Sequence, residues 1–211
     1  FADLTVFSFH PVKILTTGEG GMLLTDDDDL YETLIRLRSH GITRDSRFMS
    51  DAPDDPWFYQ QVELGYNYRI TDLQAALGSS QTDKLPSFLE RRRELARRYD
   101  DRLAHLPLTL PWQHPDGLSS WHLYVIQIDS EKTPVTRRQL YDKLREAGIY
   151  AQVHYIPVHL QPYYRDRGFK PGDFPVSERY YDHALSLPMY YSLSDADQDR
   201  VVKALESILG H

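Results

Sequence analysis

The stretch Phe7-Ser8-Phe9-His10-Pro11-Val12-Lys13-Ile14-Leu15-Thr16-Thr17-Gly18-Glu19-Gly20-Gly21 decides the reading of this chain. One lysine stands between a short apolar strand and a Thr-Thr-Gly-Glu-Gly-Gly turn, in surroundings that read as protein interior, where lysine is uncommon. On spacing alone, Lys13 is a solvated lysine on a βα loop. The same residues also suit a second use. An amine held on a rigid turn, with the Ser8 hydroxyl five residues earlier, serves Schiff-base chemistry with a phosphorylated aldehyde.

Outward from this turn, residues 4–9 and 21–25 read as short strands flanking it. Residues 28–40 carry Leu30, Leu34, Ile35 and Leu37 at helical spacing, with a stop at Gly41. The run Asp26-Asp27-Asp28-Asp29 opens that helix and reads as N-terminal charge and capping. Four adjacent carboxylates cannot converge on one ion, so no metal is expected there. Residues 42–62 are irregular, broken by Pro53 and Pro56, and their aromatics Trp57, Phe58 and Tyr59 serve either packing or an interface. Thr71 is the expected N-cap of a long helix, with a break at Pro86 and a second helix to about residue 106. Residues 106–118, with three prolines, form a connector. Beyond it come a strand at 121–129, a helix at 136–147 stopped by Gly148, a strand at 150–154, a helical stretch at 175–185 and a closing helix at 194–209. The division expected is a first domain over 1–106 and a second, smaller α/β domain over 107–211.

The chain has 211 residues, 41% of them hydrophobic and 26% charged, a composition that supports an ordinary globular core in one or two domains. No apolar run reaches the length needed to cross a bilayer, so no membrane partner is expected. There is no secretory signal pattern and no cysteine, which argues against disulfides and thiolate zinc and for a cytoplasmic location. Net charge is −7. Arg91, Arg92, Arg93, Arg97 and Arg98 alternate with Glu90 and Glu94, a pattern of a solvated, salt-bridged helix face rather than a nucleic-acid footprint.

Three further segments carry polar groups of interest. Asn67, in Gly65-Tyr66-Asn67-Tyr68-Arg69, reads on its own as support for a turn before the helix, with an amide donor beside a glycine that lets backbone approach closely. Arg69 is an anion partner or a salt-bridge residue. His154 and Tyr155 read on their own as structural, with an imidazole and a phenol that offer mixed donors and acceptors. His154 and His159 have no matching carboxylate spacing for zinc, so no metal is expected. His40 ends a helix, where it complements the dipole.

The lysine segment resembles that of the DegT/DnrJ/EryC1/StrS family of sugar aminotransferases, whose motif reads approximately Ser-Phe-His-x-x-Lys-x-Ile-Thr-Thr-Gly-Glu-Gly-Gly. Leu15 stands where isoleucine is usual. Arg38-Ser39-His40-Gly41, Asn67-Tyr68-Arg69, Ala75-Ala76-Leu77-Gly78 with Gln81, and Ala151-Gln152-Val153-His154-Tyr155-Ile156-Pro157 extend the resemblance over nearly the whole chain. It is strongest to the C4 aminotransferases of UDP-linked 4-keto-6-deoxy sugars in the pseudaminic acid pathway. The resemblance implies an α/β fold of the pyridoxal-phosphate transferase type I (aspartate aminotransferase-like), here the end of the large domain plus the small C-terminal domain. It implies pyridoxal 5′-phosphate as cofactor, with Lys13 forming the internal aldimine and moving the proton, and Ser8 bonding the cofactor phosphate. Asn67 would cross a homodimer interface to the neighbouring subunit's cofactor phosphate. His154 and Tyr155 would lie beside the substrate sugar, and Arg69 would pair with a diphosphate or carboxylate. The implied reaction moves an amino group, from glutamate as donor, to the C4 ketone of a nucleotide sugar.

Two alternatives accompany this reading. Dehydratases of the family carry histidine at the Lys13 position, so lysine argues for transamination. The other is a truncated, catalytically incomplete module. The chain opens on Phe1, and the resembled enzymes are almost twice as long. The expectation is therefore that the acidic partner of the pyridine nitrogen, the ring-stacking aromatic and most of the phosphate loop lie outside it.

Overall fold

The computed structural model describes residues 2–51 and 55–210. The predicted loop residues Ala52, Pro53 and Asp54 lie outside the described residues. The chain forms two compact units, Phe1–Leu85 and Pro86–His211, each described by itself.

In the first unit, β1 (Thr5–Ser8) and β2 (Gly21–Leu24) form an antiparallel hairpin, paired from Thr5↔Leu24 to Ser8↔Gly21. Helix α1 (Asp28–Leu37) starts where Asp27 accepts the Leu30 N–H at 2.9 Å, so the acidic run is a cap, as its sequence implies. The helix stops three residues short of the expected end, because His40 and Gly41 take left-handed backbone at φ +65° and +69°. Strand β3 (Ile42–Thr43) then pairs with β4 (Gln60–Gln61), closing the long loop between them. Helix α2 (Asp72–Thr82) begins with a capping box in which Thr71 and Gln74 satisfy each other's backbone N–H groups.

In the second unit, α3 (Leu85–Leu103) carries Pro86 in its first turn, where the missing N–H costs nothing. It is followed by β5 (Leu108–Thr109), β6 (Tyr124–Ile128), α4 (Arg137–Glu146), a 3₁₀ turn (Val158–Leu160), α5 (Pro162–Arg165), α6 (Pro175–His183), β7 (Ala184–Leu187) and α7 (Asp195–Leu209). The strands form an antiparallel sheet in the order β5-β6-β7. Leu95, Tyr99 and Leu103 of α3 share one core with Ile126, Leu140, Leu144, Leu185 and Leu205. The helix that the sequence reading grouped with residues 1–106 therefore gives its apolar face to the second unit's core.

Three local expectations are corrected. Residues 150–154 form no strand; a single backbone bridge, Gln152↔Ser186, pairs them with β7. The stretch 175–185 is helical only to His183, and Ala184–Leu187 is a fully buried strand. The arginine row of α3 is salt-bridged as expected, with Arg91 reaching Glu94 at 2.7 Å, but is solvated only in part. Arg92 is buried and donates to the carbonyls of Trp121, His122 and Met189 at 3.0–3.2 Å. Arg91 and Arg98 pair with Asp195 and Asp199 around α7.

Candidate functional site

Lys13 lies on the turn between β1 and β2, half-buried, and its backbone is fixed by a dense set of local bonds. Its own N–H donates to the His10 carbonyl at 2.9 Å, and Thr17 N–H donates to the Phe9 carbonyl at 3.0 Å. The Thr16 hydroxyl donates to that same carbonyl at 3.0 Å and accepts the Gly18 N–H at 3.0 Å. Buried Thr17 donates its hydroxyl to the Glu19 carbonyl at 2.7 Å. The two threonines thus spend their side chains on turn backbone, which is why the motif needs hydroxyl residues there. Helix α2 backs the turn, since a side chain at Gly78 would meet Thr17 Cγ2 at 3.0 Å. Among the described residues, nothing forms a hydrogen bond or ion pair with the Lys13 amine. His10 Nε2 lies 3.9 Å from Glu19 Oε1, an exposed pair that closes the turn from outside. Ser8 ends β1 opposite Gly21, and its hydroxyl is likewise uncommitted to any described residue.

Asn67 and Arg69 lie on an extended segment docked to the C-terminal end of α1. Tyr66 N–H donates to Leu37 O at 2.7 Å, Tyr68 N–H to Arg38 O at 2.9 Å, and His40 N–H to Tyr66 O at 2.8 Å. A single bridge pairs Ser39 with Asn67. Gly41 and Gly65 make this docking possible: a Cβ at Gly65 would sit 2.1 Å from Gly41 N. Tyr66 and Tyr68 stack with ring centroids 4.8 Å apart. Side chains alternate along extended backbone, so Asn67 and Arg69 leave from the face opposite that stacked pair. Both are exposed and bonded through their side chains to no described residue.

In the second unit, His154 Nδ1 lies 2.8 Å from Ser186 Oγ on β7, and burial pushes its imidazole pKa below the ordinary value. Its ring meets the Tyr155 ring edge-on at 4.6 Å. The phenol of Tyr155 is exposed. The structure thus brings His154 and Tyr155 together, and holds Lys13, Ser8, Asn67 and Arg69 within the first unit without a direct side-chain bond among them. No group of histidines and carboxylates among the described residues has the arrangement of a metal site. No helix among them is long and apolar enough to cross a membrane.

The sequence reading missed the partnership of His159 with Glu178, 2.8 Å apart. Nineteen positions separate the two, so no local periodicity could couple them.

Comparison with known proteins agrees with the geometry. The model of the DegT/DnrJ/EryC1/StrS aminotransferase family matches residues 1–206. The spore coat polysaccharide biosynthesis protein SpsC of Bacillus subtilis is 43% identical over 212 residues, covering 98% of this chain and 54% of SpsC. PseC of Helicobacter pylori, an aminotransferase involved in the biosynthesis of pseudoaminic acid, superposes with a TM-score of 0.86 at 30% identity over 100% of this chain and 54% of its own. The PLP-form of the sugar aminotransferase Spr1654 from Streptococcus pneumoniae gives a TM-score of 0.85 at 31% identity, covering 98% of this chain and 52% of its own. The chain spans about half the length of the curated relatives it matches. Its mixed helix-and-sheet fold is the type I transferase architecture expected from the sequence, over that half.

Proposed function

This chain belongs to the DegT/DnrJ/EryC1/StrS aminotransferase family, and on that premise we propose that it supplies the lysine half of a sugar aminotransferase dependent on pyridoxal 5′-phosphate. The observation that carries the reading is the Lys13 turn: backbone pinned at Phe9, His10 and Thr17, amine left uncommitted. The donor set fits the cofactor. Lys13 offers an amine for its carbonyl carbon, while the Ser8 hydroxyl and the Asn67 amide offer donors for its phosphate.

When bound, the cofactor supplies the carbonyl group that accepts nitrogen from a donor and releases it to a ketone. Lys13 would hold it through its amine, and the Nζ would serve as the base that takes a proton from the donor's α-carbon and returns one to the sugar carbon. A rigid turn serves both tasks, because each needs the same amine at one locus. Asn67, exposed at the end of a docked segment, would serve the neighbouring subunit's cofactor in a homodimer. Arg69 would bind the substrate diphosphate or a carboxylate. His154 and Tyr155 would contact the sugar, and a depressed imidazole pKa keeps His154 neutral at cytoplasmic pH, able both to donate and to accept. We take the acceptor as the C4 ketone of a nucleotide-linked 4-keto-6-deoxy sugar and the donor as glutamate. The roles of SpsC in spore coat polysaccharide biosynthesis and of PseC in pseudoaminic acid biosynthesis support a sugar substrate.

Borohydride reduction followed by intact mass and peptide mapping tests this. A pyridoxyl adduct on Lys13 is expected in the full-length protein, and Lys13→Ala should lose both adduct and turnover while unfolding at the same temperature. Full transaminase activity in Lys13→Ala would overturn the assignment. The hairpin β1–β2 is exposed on both faces, which favours a second reading for this chain in isolation, a half-site. An adduct in the full-length protein but none here would be its signature.

A further inference from the structure

His159 and Glu178 stand outside the residues assigned above, and their geometry is that of a clamp. His159 sits on the 3₁₀ turn two residues after Pro157 and is 8% exposed. Its Nε2 meets Glu178 Oε1 of α6 at 2.8 Å. The same carboxylate accepts the Gly172 N–H at 2.8 Å on Oε1 and 3.0 Å on Oε2, and the Phe174 N–H at 3.5 Å. Phe174 precedes α6 and offers no side-chain cap, so Glu178 satisfies backbone donors that a capping residue would otherwise take. The Phe174 ring packs 4.7 Å from the imidazole, and Phe169 packs 6.1 Å from Phe174. One carboxylate therefore ties together the 3₁₀ turn, the turn at Gly172 and the start of α6.

The other end of the same segment is fastened independently, by His154 to Ser186 of β7 and by the Gln152↔Ser186 bridge. Residues 154–159 are thus a strap pinned at both ends to different elements. Between the pins, Tyr155, Ile156 and Val158 are exposed at 72%, 48% and 61%. Apart from the short 3₁₀ turn and buried Pro157, the segment relies on these two pins to hold its apolar side chains in one pose toward solvent.

We propose that Glu178, acting through His159, is a positioning residue for sugar binding: it fixes the pose in which the strap presents His154, Tyr155 and Ile156 to the nucleotide-sugar substrate. The proposal rests on the reading of His154 and Tyr155 as sugar contacts. Glu178 itself touches neither substrate nor cofactor. Its removal acts on the sugar half of the reaction and spares the amino-donor half, since the Lys13 turn is held by its own local hydrogen bonds.

The test uses the full-length protein with Glu178→Gln, which keeps size and an acceptor oxygen but loses the charge, together with Glu178→Ala and His154→Ala. Hydrogen–deuterium exchange should rise across residues 155–174 in Glu178→Ala and remain unchanged in α7. Stopped-flow spectra should show the amino-donor half-reaction of Glu178→Gln unchanged, while its KM for the sugar nucleotide rises about tenfold, the low end of what loss of an outer-shell partner costs. His154→Ala should raise the same KM. An unchanged sugar KM in Glu178→Gln beside an impaired His154→Ala overturns the proposal alone. An unchanged sugar KM in His154→Ala removes the sugar-contact reading, and the proposal with it. Equal damage to both half-reactions in Glu178→Gln also overturns it, because that is the mark of general destabilisation.

Discussion

Gly41 and Gly65 cross so closely that neither position has room for a side chain. A Cβ on Gly41 would lie 1.9 Å from Glu63 O, and one on Gly65 would lie 2.1 Å from Gly41 N. Backbone cannot yield to such contacts, so Gly65→Ala must push the Asn67 segment off α1. We expect a loss of about 3 kcal/mol in denaturant unfolding. Gly18→Ala is the comparison: its φ is +79° but nothing lies within 4 Å of the added methyl, so only the backbone strain of about 1–2 kcal/mol applies. Arg92 is a buried cation that donates to three backbone carbonyls. Desolvation lowers its pKa, yet an arginine stays charged. Arg92→Met leaves those carbonyls without their donor and should destabilise by about 3 kcal/mol, read as a lower denaturant midpoint with an unchanged slope.

Among elements, the helix starts were the most legible features, because capping is a local rule between residues three apart. Thr71 with Gln74 and Thr136 with Gln139 both form complete capping boxes. Thr71→Ala and Thr136→Ala should each lower stability by about 1 kcal/mol in thermal unfolding. Strand β7 was illegible for the converse reason. It follows α6 with no glycine or proline between them, and four buried residues, Ala184-Leu185-Ser186-Leu187, carry no period. The α3 arginines were legible only in part at this same scale. Their spacing to Glu90 and Glu94 suggested pairs along one helix, and Arg91 does pair with Glu94 at 2.7 Å, whereas Arg98 reaches Gln198 and Asp199, about a hundred positions away. Gln198 in turn donates to Leu95 O at 2.7 Å in the buried seam. A polar row on a helix is solvated only if nothing packs on it, and that is a tertiary fact.

For the whole chain, acid should destabilise in two stages. Burial holds the His154 pKa below its ordinary 6.5, so the unfolded chain takes up that proton first and stability falls as pH drops below about 6.5. Glu178 is held low by His159, Asp195 by Arg91, Asp197 by Ser194 and Asp129 by Lys132. Their contribution is complete above the ordinary carboxylate pKa and is lost as pH falls through the lowered folded values. Asp100 opposes this trend, since burial raises its pKa and protonation relieves it. Unfolding temperatures measured from pH 8 to pH 3 should decline in these two stages. His154→Asn should flatten the first stage and leave the second.

The sequence by itself determined the Lys13 turn, the two flanking strands, the helix starts and the family, because each rests on residues close together in the chain whose hydroxyls, glycines and caps act on neighbouring backbone. It also named Asn67 and Arg69, but not that they leave one face of a segment docked on α1. Tertiary structure alone decided the burial of Arg92, the strand at β7 and the clamp of His159 on Glu178. Those depend on partners from 19 to about a hundred residues distant, and the free energy that selects them comes from packing and desolvation, which no local spacing records.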